Sequence, residues 1–216
     1  MTPASLLARL RTIVDEAAQS YFTDTECYAA LSDGQRALIN IVLSIYNAKA
    51  KINPHEKIPE VLFPLIKTVN NTLANGAASI GLPSDYLQDL WLTYNHDSPL
   101  SANLKPCRKR NYGLGYPQQK SNSYMKDNPG NEYFYSIYGT IINLETPVTV
   151  NTGNYQFAYI PIAADIISGG GNPVLQDNAL MAVVHYAAAD LFTKDELNEA
   201  ANLEFQKFLQ LTRDLY

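Results

Sequence analysis

Residues 133–147 read YFYSIYGTIINLETP, and this stretch decides the fold class. Apolar or aromatic side chains stand at every second position over 133–137 and again over 142–144. This period of two is typical of a strand with one buried face, because successive side chains of a strand point to opposite faces. Gly139 interrupts the alternation, which predicts a bulge.

Two neighbouring segments extend the predicted sheet. Residues 151–154 (NTGN) indicate a turn, after which Tyr155, Phe157 and Tyr159 alternate. Residues 87–94 (LQDLWLTY) predict one more strand. Strands connected in this order favour an antiparallel meander. The chain holds 15 tyrosines against 7 phenylalanines, and we interpret the tyrosine-rich strands as sheet core or subunit interface.

The chain before the sheet has helical periodicity. Thr23 and Glu26 form a capping box, which predicts the start of a long helix that runs to about Lys51 and stops at Asn53-Pro54. An amphipathic stretch over 61–73 predicts another helix, ended by Asn75-Gly76.

The chain after the sheet is also helical. Residues 179–192 (ALMAVVHYAAADLF) predict an almost wholly apolar helix that is buried on more than one side. A second capping box over 193–196 predicts the start of a final helix. That helix would place along one side Leu197, Ala201, Phe205, Phe208, Leu211 and Leu215.

These patterns together predict a single α+β domain over 1–216. A helical body comes from 1–81 and from 168–216, with long helices at both ends of the chain. The β-rich insertion over 82–167 contains an antiparallel sheet and a long irregular arm over 95–132. Structureless segments longer than about 12–15 residues are usually functional.

The arm carries the candidate contact residues. Residues 98–126 hold six lysines and arginines and no acidic residue, so we expect these cations to need counter-charges from elsewhere. We predict that the arm is poorly ordered in the free monomer and binds a neighbouring subunit, a partner or DNA through Lys105, Arg108, Lys109, Arg110, Tyr112, Tyr116, Lys120 and Tyr124. Cations interleaved with tyrosines are also typical of nucleic-acid contacts, so a nucleic-acid-binding module using 98–126 is the alternative.

Composition and motifs exclude several functions. A net charge of -5 argues against a protein that coats nucleic acid. No P-loop, nucleophile elbow or metalloprotease motif is present, and the three histidines lack metal-ligand spacing, so we expect no enzyme activity, cofactor or metal. His185 is interpreted as a satisfied core or interface histidine, and Cys27 and Cys107 as free thiols. A hydrolase built around His96-Asp97 is a third hypothesis, for which no nucleophile motif is found. No signal peptide or membrane-spanning segment is evident.

Five motifs occur in one order along nearly the whole chain. An aromatic pair with a Thr-Asp cap precedes the long helix, and a Leu-Pro-x-Asp-aromatic segment precedes the sheet. A tyrosine-rich strand with a glycine, a strand ending Tyr-apolar-Pro and an alanine-rich helix follow. Their positions are 21–24, 82–86, 135–147, 159–161 and 186–191.

This ordered series resembles the head-to-tail adaptor, or connector, proteins of tailed bacteriophages. The resemblance implies a non-enzymatic virion subunit that forms a homo-oligomeric ring of about twelve copies below the portal. Its partners would be the portal protein above and tail or further ring proteins below, with DNA passing through the lumen without sequence-specific binding. Residues 95–132 are an insertion relative to the family pattern.

Overall fold

A computed structural model divides the chain into two compact units. The helical unit comprises Met1–Leu65 with Ile162–Tyr216, and the sheet unit comprises Ile66–Pro161. The α+β class is confirmed, with helices in both terminal parts of the chain and a sheet between them in sequence. The structure describes residues 1–15, 21–53, 56–95, 104–110, 133–145, 148 and 152–216.

Within the described residues, four α-helices and one 3-10 helix build the helical unit. They are α1 (Pro3–Ile13), α2 (Asp24–Ile52), a 3-10 helix (Glu60–Leu65), α3 (Asp177–Lys194) and α4 (Asn198–Asp214). The predicted capping box is confirmed at the start of α2. The Thr23 hydroxyl accepts from the Glu26 backbone N–H, and the Glu26 carboxylate accepts from the Thr23 backbone N–H.

The alanine-rich helix α3 lies between its neighbours, as its sequence predicts. It contacts α1, α2 and α4. Ala182 and Ala189 are buried together with the larger apolar residues of the helix. The approach to α2 is close at Gly34, where an added Cβ would lie 2.8 Å from the carbonyl oxygen of Val183. Small residues therefore let the helices of this unit pack on several sides of α3.

The described part of the sheet unit holds seven strands in the order β1-β7-β3-β4-β5-β6-β2. Their bounds are β1 (Lys67–Ala74), β2 (Ser79–Gly81), β3 (Tyr86–Tyr94), β4 (Lys105–Lys109), β5 (Tyr133–Tyr138), β6 (Ile141–Leu144) and β7 (Thr152–Pro161). The sheet is mixed, because β4 and β5 are parallel while the other pairs are antiparallel. The predicted antiparallel meander is therefore wrong. The segment between β4 and β5 is long enough for the crossover that a parallel pair requires.

The 3-10 helix and β1 overturn the predicted helix over 61–73. The chain forms the 3-10 helix and then β1, which pairs with β7 from Lys67↔Tyr159 to Ala74↔Thr152. The letters KTVNNTLA contain two threonines, two asparagines and one valine, which are weak helix formers, so strand pairing prevails. Part of the segment over 1–81 that was predicted as helical is thus sheet, and Gly76, at φ +81°, belongs to the link from β1 to β2.

Gly139 forms a hairpin turn rather than the predicted bulge. Tyr138 pairs with Ile141, so that Gly139 and Thr140 are the two central residues of the turn between β5 and β6. Gly139 has a φ of +59°, a backbone conformation that glycine adopts without steric cost. β6 keeps its predicted alternation, whereas in β5 Ser136 is buried and Ile137 is only partly buried. The interruption marks the point where the chain reverses.

Three smaller predictions also require correction. Thr152 to Asn154, predicted as part of a turn, belong to β7. The predicted capping box over 193–196 is wrong, because α3 continues through Thr193, whose hydroxyl donates to the carbonyl of Ala189. On α4, Ala201 and Phe208 are buried as predicted, whereas Phe205 is 39% exposed.

Tyrosines fill the interior of a curled sheet. β1 and β2 lie at opposite edges although only four residues separate them, so the sheet must curl to bring these edges together. Backbone bonds from Gly76 to Val148 and from Leu144 to Ala78 close this end. The interpretation of the tyrosine-rich strands as core is confirmed, since the buried cluster contains Tyr94, Tyr133, Tyr135, Tyr155, Phe157 and Tyr159.

Candidate interaction surfaces

The structure places the predicted basic contact residues in a strand near the middle of the sheet. Lys105, Arg108 and Lys109 belong to β4, and Arg110 follows directly. β4 pairs with β3 through its first half and with β5 through its second half. Most of the predicted arm lies outside the described residues. So do the other predicted contact residues, which are Tyr112, Tyr116, Lys120 and Tyr124.

Three of these cations contact side chains of the sheet unit itself. The Lys109 ammonium lies 2.5 Å from Oδ1 of Asp89. The Lys105 ammonium donates to the hydroxyl of Tyr133 at 3.0 Å. Arg110 lies 3.4 Å from Oε2 of Glu145, and its guanidinium stacks 3.3 Å from the ring centroid of Phe134. The expectation that these cations need counter-charges from elsewhere is therefore wrong for Lys109 and Arg110, which pair with carboxylates of their own unit.

Asp89 joins three strands through one buried carboxylate. Its side chain is 7% exposed and accepts hydrogen bonds from Tyr86 at 2.8 Å and from Tyr135 at 2.7 Å, in addition to Lys109. Burial alone would raise the pKa of Asp89, but the hydrogen bonds from Lys109, Tyr135 and Tyr86 outweigh burial and hold this pKa below its ordinary value. Burial and the facing carboxylate raise the pKa of Tyr135.

Asp85 forms a second, more exposed version of the same arrangement. It accepts from the Lys67 ammonium at 2.6 Å and from the Tyr159 hydroxyl at 2.8 Å. The hydrogen bond from Lys67 is the main reason that the pKa of Asp85 is lowered, whereas burial raises the pKa of Tyr159 to about 12. Both carboxylates are thus occupied by donors of the same unit, and the network stabilises the sheet.

His185 is a satisfied core histidine, as predicted. Its Nδ1 lies 2.6 Å from Oε2 of Glu204, and the other oxygen of Glu204 accepts from Lys207 at 2.6 Å. Cys27 and Cys107 are both free, and burial raises the pKa of the Cys107 thiol to about 12. His96 and Asp97 lie outside the described residues.

Neither a metal-binding cluster nor a membrane-spanning helix is found in the described part of the chain. No group of three or more histidine, cysteine, aspartate or glutamate side chains there could hold a metal ion. None of its helices combines the length and the hydropathy that a membrane crossing needs.

The helical unit contains an apolar groove between the C-terminal halves of α2 and α4. Its volume is about 470 Å³, and its lining consists of Ile41, Ile45, Lys49, Leu209, Thr212, Arg213 and Tyr216. The Lys49 ammonium lies 3.7 Å from the centroid of the Tyr216 ring, and Leu209 is 40% exposed. The groove therefore combines an apolar floor with two cations at its rim.

The same unit exposes apolar and acidic side chains where α4 begins. Tyr21 is 65% exposed and Leu197 is 48% exposed. Asp195, Glu196 and Glu199 are close to Leu197 in sequence, and the hydroxyl of Tyr21 is hydrogen bonded to Asp195. We call this group of five residues the acidic end. Large apolar side chains left exposed beside charges are typical of protein interaction surfaces.

Sequence reasoning missed both of these surfaces. A signal was present in α4, whose buried residues are Ala201, Glu204, Phe208 and Thr212. Leu203 and Leu209 do not belong to that face and are 55% and 40% exposed. Leucines that lie outside the buried face of an amphipathic helix indicate that a second face of the helix also makes a contact.

Comparison with known families gives one match. A family model described as SU10 adaptor protein matches residues 1–215. No curated protein matches the chain.

Proposed function

The chain belongs to the SU10 adaptor protein family, a phage head–tail adaptor family, and we propose that it is a ring subunit that joins the DNA-filled head to the tail. The family is a structural family of bacteriophages and not a known enzyme family. In this proposal copies of the chain form a ring of about twelve below the portal. Portal protein binds above, tail or further ring proteins bind below, and the subunit resides in the virion.

The proposal rests mainly on the family match over 1–215. Because the match covers these residues continuously, they do not include an unrelated domain. Two properties of the chain support it. The exposed apolar side chains of the helical unit suit a subunit whose surface is largely interface. The net charge of -5 suits a conduit through which DNA passes without being held along its length.

The nucleic-acid-binding alternative draws little support from the geometry. Lys105, Lys109 and Arg110 would have to leave partners of their own unit before they could contact phosphates. Nucleic-acid binding requires cations that are free to contact phosphates. In the proposed ring, by contrast, any contact with DNA is transient and independent of sequence.

Electron microscopy of negatively stained particles tests the proposed function. The purified protein is imaged alone, then after mixing with the portal protein of the same phage. We expect rings, or an added tier of density on one face of the portal particle. Portal particles without added density, together with a protein that stays monomeric in both samples, would contradict the proposal.

A further inference from the structure

We infer that the helical unit binds a second copy of this chain head to tail, with the acidic end of one copy seated in the groove of the next. This inference rests on the proposed function, since it names the contact that would build the ring. The groove and the acidic end are different surfaces of the same compact unit. Such a contact is heterologous, and heterologous contacts close into a ring when the rotation between neighbours closes.

The helices give the unit two distinct ends. Glu26, in the first turn of α2, interacts with Lys194 at the end of α3, and Tyr21 contacts Asp195 just before α4 begins. At the other end, Lys49 of α2 lies over the ring of Tyr216, just beyond α4. Hence α2 and α4 run in the same direction. The 17 residues of α4 span about 25 Å, so the acidic end and the groove lie at opposite ends of the unit.

The two ends carry opposite charge. The charged residues of the acidic end are Asp195, Glu196 and Glu199, whereas Lys49 and Arg213 line the groove and Glu56 lies 3.5 Å from the hydroxyl of its Tyr216. Two acidic ends would repel each other, and so would two grooves. The electrostatic interaction is favourable when the acidic end of one copy faces the groove of another. The charges therefore favour a head-to-tail contact over a symmetric dimer through either surface.

The apolar parts of the two ends also match. The groove floor is formed by Ile41, Ile45 and Leu209 and offers about 470 Å³, which is enough for one or two large side chains. Leu197 and Tyr21 are the large apolar residues exposed at the acidic end. Seating them in the groove removes apolar surface on both copies from water, while the acids approach Lys49 and Arg213.

Charge reversal on each surface tests this contact. The groove variant carries Lys49→Glu and Arg213→Glu, and the end variant carries Glu196→Lys and Glu199→Lys. Each variant alone places like charges at every contact, so its self-association should weaken about tenfold or more. In an equimolar mixture, every contact between unlike copies regains opposite charges, so assembly should return with the two variants alternating around the ring.

The readout is the number of adaptor copies per portal particle, measured by mass photometry on the full-length chain. Arg9→Glu and Glu60→Lys are matched controls, because they reverse exposed charges of the same unit that line neither surface. Circular dichroism at 222 nm checks that each variant is folded. We expect a complete tier from the wild type, from both controls and from the mixture, and an incomplete tier from each variant alone.

Two results would overturn the inference. The first is a complete tier from either folded variant alone, and the second is a mixture that stays as incomplete as its components. In both cases the wild-type tier on the portal still supports the proposed function. Failure of the wild type itself to bind the portal counts against the proposed function, so the two failures are distinguishable.

Discussion

The basic strand of the sheet unit and the two exposed surfaces of the helical unit use their charged residues in opposite ways. In the sheet unit, Lys67 and Lys109 contact buried or half-buried carboxylates, and those carboxylates also hold tyrosine hydroxyls. In the helical unit, the charges of the groove and of the acidic end stand beside exposed apolar side chains. Charges paired within a unit stabilise its fold, whereas charges beside an exposed apolar surface select a partner. A basic cluster in a sequence is therefore not by itself a binding site.

Removing the Asp89 carboxylate should have the largest effect on stability. It tests whether charged residues of the sheet unit have a structural role. Asp89→Ala takes acceptors from Tyr86, Tyr135 and Lys109 at once. We expect the free energy of unfolding of the sheet unit to fall by about 2–3 kcal/mol, because buried donors are left without partners. Trp91 in β3 is the only tryptophan of the chain, so its fluorescence during urea unfolding reports on this unit.

Asp85→Ala is the matched control for that experiment. The Asp85 side chain is 35% exposed, so water can replace its partners, and we expect a loss of about 1 kcal/mol or less. Equal effects of the two substitutions would break the comparison, since burial of the network would then not matter. Neither substitution should reduce ring assembly of the folded protein.

The helical unit should respond most strongly to a change in packing rather than in charge. At Gly34, an added Cβ would lie 2.8 Å from the backbone oxygen of Val183 and 3.2 Å from the Tyr186 ring. Gly34→Ala should therefore lower the free energy of unfolding by about 1–2 kcal/mol, because overpacking outweighs the gain of about 1 kcal/mol in helix propensity. Ellipticity at 222 nm follows the helices during unfolding.

Gly81→Ala provides the comparison in the sheet unit. Apart from its chain neighbours, none of the described residues comes within 4 Å of a Cβ placed at Gly81, which ends the short edge strand β2. We expect a change of about 0.5 kcal/mol or less. A Gly34→Ala protein that is as stable as the wild type, or more stable, would show that α2 and α3 can separate without cost and would contradict the close packing.

Local signals in the sequence predicted much of the fold. The start of α2 was predictable because Thr23 and Glu26 satisfy backbone groups within one helical turn. The burial of α3 followed from its unbroken apolar composition. The strand character of β3, β5, β6 and β7 followed from alternation. Each of these inferences needs only residues that are close together in the chain.

The remaining features depend on contacts between distant residues. β1 is a strand because β7 pairs with it, from Lys67↔Tyr159 to Ala74↔Thr152, and no local pattern reports that pairing. Likewise, the contacts of Lys109 with Asp89 and of Arg110 with Glu145 join residues separated by 20 and 35 positions. The sequence shows the cations but not the acids that meet them. The groove was missed for the same reason, since α2 and α4 are far apart in the chain.

Acidification should weaken the sheet unit through Asp89. The pKa of this carboxyl is lowered in the fold, so the folded state holds its proton less tightly than the unfolded state does. The stabilisation is fully present above the unfolded pKa of about 4 and is lost as the pH falls through the lower folded pKa. We expect the difference in unfolding free energy between the wild type and Asp89→Asn to shrink between about pH 4 and pH 2. A constant difference over this range would exclude the ionised carboxylate as the source of stability.

The smallest expected effect concerns Glu145, where the pairing of charges within the sheet unit is weakest. Its ion pair with Arg110 is long at 3.4 Å, and its Oε1 is buried without a hydrogen-bond partner in the described part of the chain. Burial raises the pKa of Glu145 more than Arg110 lowers it, so the fold disfavours the charged form.

Glu145→Gln keeps the shape of this side chain and removes its charge, while Arg110 keeps its stacking on Phe134. Because the folded pKa lies above the unfolded one, the charge penalty is absent at low pH and grows as the pH rises through the unfolded pKa of about 4.3. We therefore expect Glu145→Gln to be more stable than the wild type at pH 7, by about 0.5 kcal/mol or less, and to lose that advantage near pH 3.5. Urea titrations followed by Trp91 fluorescence at both pH values measure this difference. A loss of stability at pH 7 would mean that the attraction of Arg110 exceeds the cost of burial, and Glu145 would then belong with Asp89 among the stabilising carboxylates.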